Sequence, residues 1–312
     1  ENPQPLIGHD GKVRAGFEPP PVHAAQGIML GELTSTSVLA QVRLTKTDHL
    51  VPKSYVARDG REMGDVLGAA GVVKFRFENT HREDAIRTPQ WKNAVTIEAS
   101  AERDFIVQTK MVGLAAGTRY VYRLRYGPSP DNTRVGPVRS FSTLPGADGA
   151  TEVNFVVVTG MNFNPFHADG PRAGSPEDKT LGYPALETIL GKQPEFFVAT
   201  GDNVYYDVPF GRFERTQTFM RQKWHEQLVQ PRFIDLFAEV ATYWQKDDHD
   251  YRYNDSDNTG DVEPLPELGR RMFREQVPIV DPRDPDAVTY RTHRINRDLQ
   301  IWLTENRDYR SP

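Results

Sequence analysis

The sequence predicts a chain in two parts, an all-β sandwich followed by an α/β domain, and three observations carry that prediction. Residues 27–143 alternate apolar and polar positions in short runs broken by Gly, Asn and Asp clusters, the period-2 pattern of half-buried strands. From residue 154 onward the apolar runs become continuous and alternate with helical patterns, as in a βαβ unit whose strands are buried on both faces. Between them lies Leu144-Pro145-Gly146-Ala147-Asp148-Gly149, a linker by composition. The expected divisions are an irregular, proline-rich arm over 1–26, a β-sandwich over 27–144 and an α/β portion over 150–312.

Within the sandwich, strands are predicted over 37–44, 72–77, 120–126 and 139–143. The segment Leu114-Ala115-Ala116-Gly117-Thr118-Arg119-Tyr120 resembles the tyrosine corner of fibronectin-type and Ig-like sandwiches. The α/β portion opens with a strand over 154–159. Ser175 then caps a helix with Pro176 at its first position, and Pro184 restarts helix as far as Gly191. A second buried strand follows over 196–200. Helix is predicted over 211–229, where Phe213, Phe219, Met220, Trp224 and Leu228 are apolar, and again over 231–237. Strands over 240–244 and 299–303 flank a last helix at 266–275.

Bulk properties exclude several functions. At 312 residues the chain has room for two domains with buried cores. It has no cysteine, which removes disulfides, thiolate metal sites and a thiol nucleophile; any metal must be held by oxygen and imidazole. A net charge of -5 without a Lys/Arg run gives no nucleic-acid footprint. No segment approaches the ~20 consecutive apolar residues of a membrane helix. The start at Glu1, lacking Met and an apolar leader, reads as a mature or trimmed chain.

The chemistry-bearing residues follow two of the predicted strands. The strand over 196–200 delivers Gly201-Asp202-Asn203-Val204-Tyr205-Tyr206-Asp207. The strand over 240–244 delivers Asp247-Asp248-His249-Asp250, then Asn254-Asp255. Ligands bind outside the carboxyl ends of strands in open α/β sheets, so both clusters should converge on one edge. Three carboxylates in four residues repel one another, and a hard cation relieves that repulsion. Alone, the acidic run reads equally well as a solvated turn; beside the Asp202 motif at an equivalent position it reads as a metal site. His9, His23, His49 and His81 lie in the arm or sandwich as surface or turn histidines, and Trp224 reads as packing. Arg291, Arg294 and Arg307 are candidates for a phosphate clamp, because a guanidinium fork matches phosphate oxygens.

These motifs resemble those of the PhoD-type alkaline phosphatases, within the binuclear metallophosphatases. That superfamily carries Gly-Asp-x-x-Tyr after one core strand, and the PhoD-type members a Trp-Asp-Asp-His-Asp/Glu segment after the next. Gly201, Asp202 and Tyr205 are similar to the first; Trp244, Asp247, Asp248, His249 and Asp250 are similar to the second, with Gln245-Lys246 inserted. Asn254-Asp255 and Glu305-Asn306-Arg307-Asp308-Tyr309-Arg310 resemble further PhoD-type segments.

The resemblance implies a calcineurin-like, four-layer metallophosphatase domain behind the sandwich, incomplete at its C-terminus. It implies hydrolysis of phosphate monoesters or diesters by a metal-activated hydroxide. Asp202 would bridge two metal ions, Tyr205 would be a phenolate ligand to iron(III), and Asp248 would take a further metal position. His249 would face the substrate as a catalytic group together with Asp202, and Asn203 and Arg307 would bind substrate. Iron(III) with calcium is the implied pair, with zinc, manganese or magnesium as alternatives. Where the family usually places a cysteine ligand this chain has Gly160. Asn162 is the expected replacement, ahead of Asn164 and His167. The remaining ligands are expected on a C-terminal remainder of the same protein, and the setting is expected to be periplasmic or extracellular. The alternatives are a phospholipid- or organophosphorus-specific relative and a catalytically silent binding module.

Overall fold

The computed structural model describes residues 21–57, 60, 62–79, 94–208, 215–281, 284 and 287–310. Most of the expected arm, with His9, and also His81 and Phe213, lie outside them. The strands are β1 (Ile28–Gly31), β2 (Ser37–Arg43), β3 (Val51–Val56), β4 (Glu62–Asp65), β5 (Gly71–Asn79), β6 (Ile97–Ala99), β7 (Ile106–Val112), β8 (Arg119–Ser129), β9 (Asn132–Val135), β10 (Arg139–Ser142), β11 (Phe155–Val158), β12 (Phe196–Ala199), β13 (Ala241–Trp244), β14 (Arg291–Arg294) and β15 (Gln300–Leu303). The helices are α1 (Phe163–His167), α2 (Pro176–Leu181), α3 (Pro184–Gly191), α4 (Gln217–Leu228), α5 (Pro231–Phe237) and α6 (Pro266–Gln276).

One sheet runs through both parts of the chain. Its order is β11-β12-β13-β1-β2-β7, with β11, β12, β13 and β1 parallel, β2 antiparallel to β1, and β7 antiparallel to β2. Strands from before and after the linker thus share one hydrogen-bonded ladder, joined where Gly31 pairs with Thr242. A second sheet, β10-β8-β5-β6 with β9 beside β8, covers one face. Alternation along each strand decides which side chain meets which layer. Val38, Ala40 and Val42 join Phe196, Val198 and Tyr243 in a core shared with Tyr122, Leu124 and Phe141 of the second sheet. Phe197, Ala199 and Trp244 point the other way, into a core closed by Trp224, Phe233, Phe237 and Phe273 of the helices. The side chains of Gln41 and Gln108 also reach that helical side, where Gln41 Nε2 donates to the Gln276 carbonyl at 2.6 Å.

Local signals formed as expected. Ser175 Oγ accepts from the Asp178 N–H at 3.1 Å, capping α2. The helix expected over 211–229 is shorter among the described residues: α4 starts at Gln217, because Thr216 is its cap and accepts the Phe219 N–H at 3.2 Å. The tyrosine corner closes with the Ala115 N–H donating to the Tyr120 hydroxyl at 2.8 Å. Trp224 is packing, stacked edge-on to Trp244 with its Nε1 donating to the Tyr206 hydroxyl at 2.6 Å. His23 sits at a β-bridge to Thr45, and His49 is exposed beside Asp48. One expectation fails: β11 is not buried on both faces. It is the edge strand of the sheet, helices cover only its Val156 and Val158 side, and Val157 stays 55% exposed.

Candidate metal centre

Two loops leave the carboxyl ends of the adjacent parallel strands β12 and β13, whose last residues, Ala199 and Trp244, are paired. The loops touch at Gly201. A Cβ there would lie 2.5 Å from the Asp247 Cβ and 2.6 Å from its backbone nitrogen, and its φ is +118°. Only glycine permits that approach. Asp202 is then held at φ +55°, a left-handed conformation that a non-glycine residue adopts at some cost. The fully buried Asp250 carboxylate ties the two loops together. It accepts the backbone N–H groups of Asp202 (3.3 Å), Asn203 (3.1 Å) and Asp247 (2.7 Å), and the Asn203 side-chain amide at 2.5 Å. Burial pushes Asp250 up to about 7, with the Asp202 charge adding and the N–H donors opposing.

The tied loops bring carboxylate oxygens of Asp202 and Asp248 and a ring nitrogen of His249 within 4.8 Å of one another. The Tyr205 hydroxyl donates to Asp202 Oδ2 at 3.0 Å, and its ring lies 4.4 Å from the His249 ring. Asp202 Oδ1 is buried and accepts no hydrogen bond; the same holds for Asn162 Oδ1. Burial raises the Asp202 pKa, and the neighbouring Asp248 and Asp247 charges add to it against Tyr205 and His249. Burial and the Asp202 charge likewise raise Tyr205 above the ordinary phenol range. A crowded, partly unpaired oxygen and imidazole set is what a hard cation neutralises, so these residues fit a metal ion.

A second ring of contacts orients the donors. His249 Nδ1 lies 2.7 Å from Asp207 Oδ1, and Asp207 Oδ2 accepts the Asn254 N–H at 2.8 Å. Burial pulls His249 down, but the Asp207 hydrogen bond and the charges of Asp207, Asp202 and Asp248 outweigh it, so its pKa is raised. Asp248 Oδ2 accepts the Asp255 N–H. Arg307 Nε donates to Asp247 Oδ1 at 2.6 Å, and its Nη2 lies 3.6 Å from Asp248 Oδ1. Lys246, fully buried, reaches Glu305 and Asp308, both at 2.7 Å. Carboxylate-to-histidine and backbone-to-carboxylate contacts of this kind fix ligand orientation in metal sites.

Each expected residue therefore has a definite place. Asp202, Tyr205, Asp248 and His249 come together. Asn203 is buried beneath the loop, its amide on the Gln245 carbonyl at 3.0 Å and on Asp250. Asn162 precedes α1 on the loop whose Met161 N–H donates to the Asp202 carbonyl at 2.9 Å. Asn164 is engaged elsewhere, accepting from Lys223 at 2.8 Å and donating to the Val208 carbonyl at 3.1 Å. Gly160 has φ +75°, so its loop is shaped for glycine. Arg291 is committed to Glu32 and to the Thr289 and Trp244 carbonyls. Sequence reasoning assigned no role to Asp207, Asp250 or Lys246; Asp207 and Asp250 stood inside the motifs, and that position was their signal.

Adjacent parallel strands thus present paired Asp motifs, a His and a Tyr at their carboxyl ends, on a sheet covered on one face by the second sheet. Among solved structures the chain is similar to that titled "Structure of PhoD", at 19% identity over 96% of this chain and 54% of that one, with a TM-score of 0.63. The chain has the PhoD fold and spans about half the length of that structure. A purple acid phosphatase, PPD1 from yellow lupin (Lupinus luteus) seeds, aligns at 11% identity over 86% of this chain and 42% of that one, with a TM-score of 0.49. The fold assignment rests on PhoD alone. No family model and no curated protein matches the chain.

Proposed function

We propose that the chain supplies part of the metal centre of a phosphoesterase acting on phosphate monoesters or diesters. The convergence of Asp202, Asp248 and His249 within 4.8 Å, beside Tyr205 and an unpartnered Asp202 oxygen, carries this reading. Asp202 would be shared by the two ions, Tyr205 would be the phenolate ligand, and Asp248 and Asn162 would add oxygen donors. Iron(III) with calcium is the proposed pair, against zinc, manganese or magnesium. Bound there, the ions would supply Lewis acidity and a lowered pKa for water.

The chain's own residues would do the rest. Asp207 fixes the His249 ring through Nδ1, orienting it to deliver a proton to the leaving-group oxygen. Arg307, held on Asp247, places positive charge behind the phosphoryl group, and Asn203 keeps the loop closed beside the substrate. Two ions require more donors than these residues offer, so we assign the others to a C-terminal remainder of the same protein, which would complete the four-layer domain. No described helix is long and apolar enough to cross a membrane; a periplasmic or extracellular setting accompanies the proposal. Elemental analysis of the purified protein, paired with hydrolysis of 4-nitrophenyl phosphate and bis(4-nitrophenyl) phosphate, tests it. Bound metal and turnover that Asp202→Ala abolishes are expected. Absence of both favours a silent binding module, for which Gly160 at the expected cysteine position is the supporting observation.

A further inference from the structure

A cavity of about 700 Å³ adjoins the candidate centre, lined by Asn162, Phe163, Asn164, His167, Ala168 and Tyr205, with Pro165, Arg172 and Val208 completing it. Its size lies in the range of small-molecule pockets. We propose that it receives the leaving group, and that the preferred substrates are phosphate esters of aryl or similarly flat, apolar alcohols. This rests on reading the adjoining centre as a phosphoester site.

Three features point to a flat apolar group. The Phe163 and His167 rings, stacked face to face at 3.6 Å and 18°, form an aromatic wall on α1. The polar atoms along that wall are turned into the protein: Asn164 binds Lys223 and the Val208 carbonyl, and His167 Nδ1 faces the Phe163 carbonyl at 3.0 Å. Burial lowers the His167 pKa, which disfavours a charge on that ring. With Pro165, Ala168 and Val208, the interior offers carbon to its occupant, and such surface gains most from an aromatic ring. The polar end is shared with the centre, because Tyr205 and Asn162 belong to both. Arg172 is exposed at the rim. A phosphoryl group at Asp202 and Asp248 thus has this cavity for its ester group. In the reaction, water adds its oxygen to phosphorus and releases a proton to solvent, the bond from phosphorus to the aryl oxygen breaks, and that oxygen takes a proton from His249, which solvent then restores.

Binding measurements separate the cavity from the chemistry. Fluorescence titration with 1-naphthol, which has no phosphorus, should show saturable binding that Ala168→Trp abolishes by filling the cavity. Ala168 is exposed, so the variant should fold normally, with Phe163→Ala as a second variant that weakens binding several-fold. In calorimetry on the metal-loaded protein, phenylphosphonate should bind about tenfold or more tightly than methylphosphonate. Ala168→Trp should erase that preference while leaving methylphosphonate binding and metal content unchanged. No binding of naphthol, or binding equal in wild type and Ala168→Trp, overturns the cavity assignment. Naphthol binding with neither phosphonate bound overturns the phosphoester reading, and the leaving-group assignment with it.

Discussion

Among the described residues, the carboxylate-histidine clusters around His225 and His249 are built to opposite ends. In the first, on the sandwich side of α4, His225 lies between two carboxylates: Asp65 is 2.7 Å from Nδ1 and Asp104 is 2.6 Å from Nε2. Asp104 also accepts from Arg43 Nη2 at 3.1 Å and from Gln276 Nε2 at 2.9 Å. Despite burial, which alone raises them, both aspartates are held below the ordinary carboxylate range by His225, and Arg43 adds to the effect. In the second, Asp202 and Asp248 share a point with His249, Asp202 keeps one oxygen unpartnered, and its pKa is raised. The imidazole of the first cluster separates its carboxylates on opposite ring edges, leaving no common point for an ion. The imidazole of the second stands to one side, with its Nδ1 occupied by Asp207. Residue types alone do not distinguish a structural clamp from a metal site; the completeness of pairing does.

The largest expected effect that tests this contrast is on turnover. Asp202→Ala should lower phosphoester hydrolysis by about 10³-fold or more with loss of metal. The metal-free variant should nonetheless melt no lower than metal-free wild type, because a costly buried charge is gone. Next, Asp104→Ala should destabilise by about 3–5 kcal/mol in denaturant unfolding, since it strands Arg43 and His225 without their partner. Equal destabilisation by the two variants would erase the comparison.

The pH dependence should also split. Asp65 and Asp104 are depressed from 3.8, so their contribution is complete above that value and is lost as pH falls through their folded values. Asp202 and Asp250 are raised from 3.8, Asp250 to about 7, so metal-free stability should decline as pH rises through that window. A saturating divalent cation should therefore raise the melting temperature more at pH 8 than at pH 5. Melting curves at the two values check this, and an equal gain would break the assignment. The smallest effect is expected from Tyr205→Phe, which keeps the ring against His249 but removes the hydroxyl. Metal affinity should fall by about 10–100-fold with little change in stability.

What the sequence made legible was local. Caps at Ser175 and the start of α5 at Pro231 follow from the conformational limits of those residues, and the two Asp motifs announce themselves by following apolar strands. What stayed hidden depends on contacts far apart in the chain. A continuous apolar run marks β11 as a strand but is silent about its neighbours, so its edge position and the exposed Val157 were not foreseeable. The pairing of Gly31 with Thr242, which carries the sheet from one part of the chain into the other, has no signature in either segment. Lys246 looked like an insertion in a motif; its partners Glu305 and Asp308 lie some sixty residues on. Arg291 carried the right charge for phosphate, yet Glu32 holds it in the fold, and the anchoring of Arg307 on Asp247 spans sixty residues of chain.

The central claim is that the Asp202 cluster, unlike the His225 cluster, is incomplete without a cation. Manganese(II) titration of the dialysed, metal-free protein, followed by electron paramagnetic resonance, tests it most directly on wild type, Asp202→Asn and Asp104→Asn. Saturable binding in wild type and in Asp104→Asn, lost in Asp202→Asn, is the predicted result. Binding that survives Asp202→Asn, or that disappears with Asp104→Asn in folded protein, would contradict it.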